Sequence, residues 1–478
     1  MGYDFVITGG TVVSSSSSFP ADIAVAGGKI AAIRGGISAA RSVDATGKLV
    51  LPGGVDPHCH IEQLSGMGQW NADTFETATR SAAMGGTTSV ISFAAQQKGE
   101  PLADTLAGYA ARAKRGAMVD HAFHLFLSDL SVPDFDADLL RLVADGHRSL
   151  KVFTTYNVAL ADAEILHVLS LARQAGATVC VHAENDALIQ HTKSGLIAAG
   201  LHRPEHHALS RPRMAEIEAV ERICRFAAFL DAPVMLFHIS TREAVEVIRK
   251  ARAAGVPIWA ETCPHYLLMT DEVLKRDGIE GAKWMCCPPQ RQEADQEALW
   301  EALSDGTIDL ISSDHAPYRF DETGKLAAGP GARFDQIGVG LPGLETRLPV
   351  LFDAMRRRGL PHQDFVRWTS SRAAELYGLP GKGDIAPGLD ADLVIWDPER
   401  ARTYGANDLH DNVGYNPWEG REVIGWPERV FLRGEELVAD GALRAKPGQG
   451  QWLDRPNSGM RPTGSPSYEI QTIQETDA

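Results

Sequence analysis

SLKVFTTY, residues 149–156, places a lysine where solvation cannot explain it. Lys151 is flanked by Leu150, Val152 and Phe153, an apolar run that reads as a buried strand. A buried ammonium is costly unless something neutralises or recruits it. A lysine amine can also take up carbon dioxide as a carbamate, an anion whose two oxygens can bridge two metal ions. The chain supplies candidate ligands for such a pair. HCH gives His58 and His60, VHAEN gives His182, FHIS gives His238 and SSDHAP gives Asp314.

Outward from Lys151, short apolar runs alternate with segments of helical spacing, the pattern of βα units. The runs are KLVLPGGVDPHCH, TTSVISFA, DHAFHLFL, SLKVFTTY, ATVCVHAE, PVMLFHIS, PIWAETC and IDLISSDHAP. Eight such units close a (β/α)8 barrel. The candidate ligands fall at or near the carboxyl ends of five of these runs, the face on which barrel enzymes build their sites. Core packing does not account for five strand ends carrying such residues together.

Before and after this region the chain is β-like. DFVITGGTVV and DIAVAGGKIAAI alternate apolar residues and stop at glycines, and GDIAPGLDADLVIWDP and RVFLRGEELVADG resume the pattern. The expected architecture is α/β: a TIM barrel over residues 55–378, with a small β-sandwich-like domain assembled from residues 1–54 and 379–445. The serine run at 14–18 reads as a surface turn, with a phosphorylated cluster as the alternative. Residues 446–478, rich in Pro, Gly, Ser and Gln, read as an extended tail, either disordered or laid over a neighbouring subunit.

The formal net charge of -16 argues against a nucleic-acid backbone as partner. No apolar run is long enough to cross a bilayer, there is no basic segment followed by an apolar core at the start, and Val6 breaks a myristoylation signal. Cys286 and Cys287 are adjacent, while Cys59, Cys180, Cys224 and Cys263 are scattered. With no CxxC pair, neither a zinc ribbon nor a disulfide framework is indicated, and a reducing cytoplasm is the simplest setting.

His58 and His60, two apart, share a face if the strand continues through them. Imidazole and carboxylate ligands with a bridging carbamate suit two zinc ions, and also manganese, cobalt or nickel. Asp314 fits either a helix N-cap or a carboxylate that touches one metal and takes a proton from bound water. Tyr156, where the strand should open into its loop, fits a phenol donating to an oxyanion or an ordinary rim aromatic. His121 and His124 read as structural or rim residues, His265 is left open, and Cys59 reads as a small core residue.

GGVDPHCHIE, GGTTSVISF, SLKVFTTY, VHAEN, AETCPHYL, CPPQR and SSDHAPY together resemble, in order, the motifs of the dihydropyrimidinase and hydantoinase branch of the amidohydrolases. The resemblance covers roughly residues 4–440 and implies an enzyme that opens a cyclic amide ring to an N-carbamoyl amino acid type product. It implies one metal held by His58, His60, carboxylated Lys151 (from CO2) and Asp314, and a second by Lys151, His182 and His238. A hydroxide between the metals would attack the ring carbonyl, Tyr156 would stabilise the oxyanion and Asp314 would pass the proton to nitrogen. A homo-oligomer, tetramer or dimer, is implied as well.

Two substrate positions depart from the family pattern. Cys287 stands where a serine is common before the Pro-Pro pair, and Val339 where an asparagine is common. The family uses main-chain groups there, so the departures bear on which ring is opened. Glu62 stands where dihydroorotases carry the arginine of HxHxR, which argues against an anionic ring. Allantoinases match less well at SLKVFTTY and CPPQR. In the loop EQLSGMGQWNADTF, Leu64, Met67 and Trp70 either line a pocket for a ring substituent or pack on the neighbouring loop. The alternatives are a cyclic-imide or other lactam hydrolase with the same site, and a non-catalytic scaffold of the same fold. The filled ligand set argues against the scaffold.

Overall fold

The structure is a computed structural model and describes residues 2–66 and 68–464. Eight parallel strands neighbour one another in chain order: β1 (Gly54–Cys59), β2 (Thr87–Ala95), β3 (Asp120–Phe126), β4 (Ser149–Phe153), β5 (Thr178–His182), β6 (Val234–Leu236), β7 (Ile258–Thr262) and β8 (Leu310–Ile311). A parallel bridge between Cys59 and His315, with His60 N donating to His315 O at 2.7 Å, brings the two edges of the sheet together. Helices cover the outside, as a sheet of strands buried on both faces requires. The helix Arg242–Ala253 shows why such segments dock, burying Ala244, Val245 and Ile248 at helical spacing. The fold is a TIM barrel.

KLVLPGGVDPHCH, read above as a single strand, is two. Leu49–Pro52 belongs to a different sheet, and the barrel strand starts only at Gly54. The break lies at Gly53, where a Cβ would stand 2.1 Å from Thr88 Oγ1. Only a glycine admits that approach.

A seven-stranded sheet joins both flanks of the chain. Its centre pairs Leu393–Thr403 with Leu49–Pro52 on one side and Glu422–Leu432 on the other. Alternation along Leu393–Thr403 divides its side chains between two cores. Leu393 and Ile395, beside Phe431 of their own sheet, face a four-stranded sheet through Phe5, Ile7 and Ile23, whereas Val394 and Trp396 join the barrel's cluster. Trp396 is fully buried, and its truncation to Ala should cost about 3–5 kcal/mol. The β-sandwich is therefore fused to the barrel by a shared sheet that is dry on both faces along residues 393–396.

From residue 446 the chain does not trail away. Through Gly464 it crosses the amino-terminal ends of β3, β4 and β5 in its own subunit. Gly450 makes this possible, since a Cβ there would stand 1.9 Å from Val119 O. Residues 465–478, the end of the segment expected as a tail, lie outside the described residues. Of the serine run, Ser14 to Ser17 form a turn tied by Ser15 to Asp384, and Ser18 starts a strand.

Candidate metal centre

At the carboxyl ends of the barrel strands lies a cavity of about 760 Å³. His58, His60, Lys151, Tyr156, His182, His238, Cys287, Asp314 and Val339 all line it. The strands deliver these residues from different depths. His58 is the penultimate residue of β1, and His60 lies just beyond its end. Lys151 is central in β4, His182 ends β5, and His238 and Asp314 follow β6 and β8. Tyr156, His238 and Asp314 have φ of 71°, 42° and 47°, left-handed values that L-residues with side chains seldom adopt. Strain of this kind collects at functional sites, where surrounding structure holds it.

The ring nitrogens sort into two sets. His58 Nδ1 is bound to buried Glu261 Oε1, His60 Nδ1 donates to Gln63 Oε1 at 2.7 Å, and His182 Nε2 donates to Glu184 Oε2 at 2.7 Å. Each acceptor fixes a proton on one nitrogen and leaves the other with a lone pair, the arrangement that orients metal-binding imidazoles. His58 Nε2 and His60 Nε2 lie 3.1 and 3.6 Å from Asp314 Oδ1. One ligand atom from each of His58, His60 and Asp314 falls within 4.8 Å of the others, a spacing suited to one cation.

Three polar atoms at this point are buried without a hydrogen-bond partner among the described residues: His58 Nε2, His238 Nδ1 and Lys151 Nζ. An unpaired buried polar atom is expensive, and three together call for a shared partner. Lys151 Nζ lies over aromatic faces, 4.0 Å from the Phe237 centroid and 4.6 Å from that of Phe153. Burial lowers its pKa from 10.5 to about 7, leaving a substantial share of nucleophilic free amine near neutrality. Burial alone would push the Asp314 carboxyl up, but His58, His60 and His238 outweigh it and hold the group well below its ordinary range. Burial takes His182 down to about 4, so its imidazole is neutral at physiological pH. The donor set fits divalent metal ions.

Some of the supporting residues left little mark in the sequence. Arg211 clamps Glu184, its Nε donating at 3.0 and 3.1 Å to the two carboxylate oxygens, and lies 4.9 Å over the Tyr156 ring. The Tyr156 hydroxyl in turn pairs with the Cys287 thiol, and burial raises the phenol well above its ordinary pKa. Glu184 was signalled by its i+2 spacing from His182 in VHAEN, and Glu261 by its place at a strand end in AETC. Arg211 carried no such signal.

Other candidates fall elsewhere. His121 packs against Trp452 at the opposite end of the barrel, and His124 is enclosed in the core below the site. His265 is buried against Tyr266 and does not line the cavity. Cys59 is buried with its thiol toward Ile91 O. Glu62 accepts from Phe75 N at a helix start, away from the cavity. Leu64 lines the cavity and bridges to exposed Trp70, and Met67 lies outside the described residues.

Residues 49–437 match the model of the amidohydrolase family. The D-hydantoinase of Geobacillus stearothermophilus is 38% identical over 461 residues, 95% of this chain and 97% of that one. The D-hydantoinase of Ralstonia pickettii is 36% identical over 95% of this chain and 99% of its own. The crystal structure of dihydropyrimidinase from Brevibacillus agri superposes with a TM-score of 0.91 at 36% identity, covering 96% of this chain and 99% of that one. Family membership implies a dinuclear divalent metal site, in keeping with the donor set described above. The chain belongs to the amidohydrolase family, within its dihydropyrimidinase and hydantoinase group, and is a hydrolase of cyclic amides.

Proposed function

We propose that this protein opens a dihydropyrimidine or hydantoin ring by hydrolysis, giving an N-carbamoyl amino acid. The observation that carries the reading is the convergence of His58, His60, Lys151, His182, His238 and Asp314 on one cavity, with buried lone pairs left unpaired. His58, His60, Asp314 and a carbamate on Lys151 would hold one metal, zinc by default. Lys151, His182 and His238 would hold the other. Two such ions supply Lewis-acid polarisation of the ring carbonyl and acidify water to near neutrality.

The side chains do the rest. Asp314, kept ionised, takes the proton of the attacking water and delivers it to the ring nitrogen as the C–N bond breaks. Tyr156, kept protonated, donates to the oxygen on which negative charge develops. Glu184, Glu261 and Gln63 hold the imidazole tautomers. Cys287 and Val339 border the ring site and shape which ring enters.

The test is ring opening of dihydrouracil, hydantoin, substituted hydantoins and cyclic imides by metal-replete, bicarbonate-treated enzyme, with Asp314→Ala as the blank. N-carbamoyl product that disappears in the variant supports the reading, and the best ring names the substrate. Turnover of cyclic imides alone would replace it with imide hydrolysis.

A further inference from the structure

Arg455 lies at the end of the barrel opposite the cavity, and its side chain is fully buried. It comes from the segment after residue 446. Among the described residues no carboxylate lies within ion-pair distance of its guanidinium. Its Nη2 donates to Phe123 O at 2.6 Å and its Nη1 to Ser149 Oγ at 2.7 Å. Burying an unpaired guanidinium is costly and needs a return beyond closing the barrel floor.

The contacts of Ser149 show where that return lies. The Pro57 carbonyl can only accept, so His124 Nε2 is the donor in their 2.7 Å contact. His124 is kept neutral by burial, aided by the nearby charge of Arg455. Its Nδ1 therefore accepts from the Ser149 hydroxyl at 2.7 Å, and the hydroxyl oxygen accepts from Arg455. Every donor in this chain points the same way, from the floor of the barrel toward the metal centre, and bonds so aligned polarise one another.

The chain ends on the peptide that carries His58. Pro57 O is held by His124 from below, and His58 N donates to Asp56 Oδ1 at 3.2 Å. The same His124 ring stacks on Phe93 with centroids 5.1 Å apart, and Phe93 lies 4.5 Å from the His60 ring. Both histidines of the HxH pair therefore rest on His124.

We infer that Arg455 is a positioning residue for the metal centre, acting from the far end of the barrel through Ser149 and His124 on His58 and His60. The inference rests on the ligand reading above. The segment carrying Arg455 thus has a part in metal binding besides its packing.

The test uses the full-length apoprotein, with zinc alone and cobalt(II) alone as probes. Arg455→Met and Ser149→Ala should each weaken zinc binding about tenfold and change the visible absorption of bound cobalt, and the double variant should lose no more than either. Trp452→Ala is the control. It removes ring packing against Phe123 and His147 from the same segment without touching the relay, and should lower the melting temperature while leaving zinc affinity and the cobalt spectrum unchanged. Native metal binding in Arg455→Met, or an equal loss in Trp452→Ala, overturns the inference. Should Arg455→Met fail to fold, Ser149→Ala decides alone. Wild-type protein that binds neither ion overturns the ligand reading itself, a result distinct from the other two.

Discussion

Glu184 Oε2 accepts from His182 Nε2 at 2.7 Å while Arg211 grips both oxygens of the same carboxylate. A fully buried acid is thereby kept ionised: burial raises its pKa, but Arg211 and His182 together override that and depress it strongly. The consequence for His182 is a fixed tautomer, with the proton on Nε2 and the lone pair on Nδ1. Glu184→Gln should therefore weaken zinc binding by about 10–100-fold, as loss of such an outer partner usually does. Titration of the apoprotein with zinc checks this, and an unchanged affinity would show that packing alone orients the ring.

Tyr156→Phe removes one hydroxyl beside the cavity. With the metal centre intact, kcat for ring opening should fall by about 10²–10³, with KM little changed. A selective rise in KM would instead make Tyr156 a binding residue.

Asp314→Asn retains the shape of the side chain but not its basicity. The expected loss in kcat is about 10²–10⁴, without loss of the folded state by circular dichroism. A rate near wild type would require another base.

Acid should destabilise the fold through buried histidines. His147 is brought from 6.5 to about 4, by burial first and by the charge of Arg455 second. A depressed folded-state pKa means that the unfolded chain binds the extra proton between the two values. Its stability contribution is complete above pH 6.5 and lost as the pH falls toward 4, on the order of 3 kcal/mol for this group. Melting temperatures across that range should fall less steeply in His147→Leu. Parallel curves for the two proteins would assign the acid lability to other groups.

Much of this was legible because it repeats. Eight apolar runs marked the strands, and polar residues at their carboxyl ends marked the cavity, since period and position survive in one dimension. The split at Gly53 did not show, because PGG within KLVLPGGVDPHCH interrupts no hydrophobic pattern and only the approach of Thr88 reveals the need for glycine. Arg211 and Arg455 were silent for a different reason. Each meets its partner beyond the reach of helix or strand periodicity, Glu184 and Arg211 being 27 positions apart and Ser149 and Arg455 306, and no local spacing records such a contact. The segment after 446 looked like a tail by composition, yet its Leu453, Arg455 and Met460 are buried against the barrel.

The proposed function requires this cavity to hold two metal ions through Lys151 and to use them to open a ring. Counting metal per chain by mass spectrometry, alongside ring-opening turnover, in bicarbonate-treated wild type and in Lys151→Ala tests it most directly. Two ions and turnover in the wild type, with fewer than two ions and no turnover in the variant, are the expected result. Two ions and full turnover in Lys151→Ala would contradict the claim.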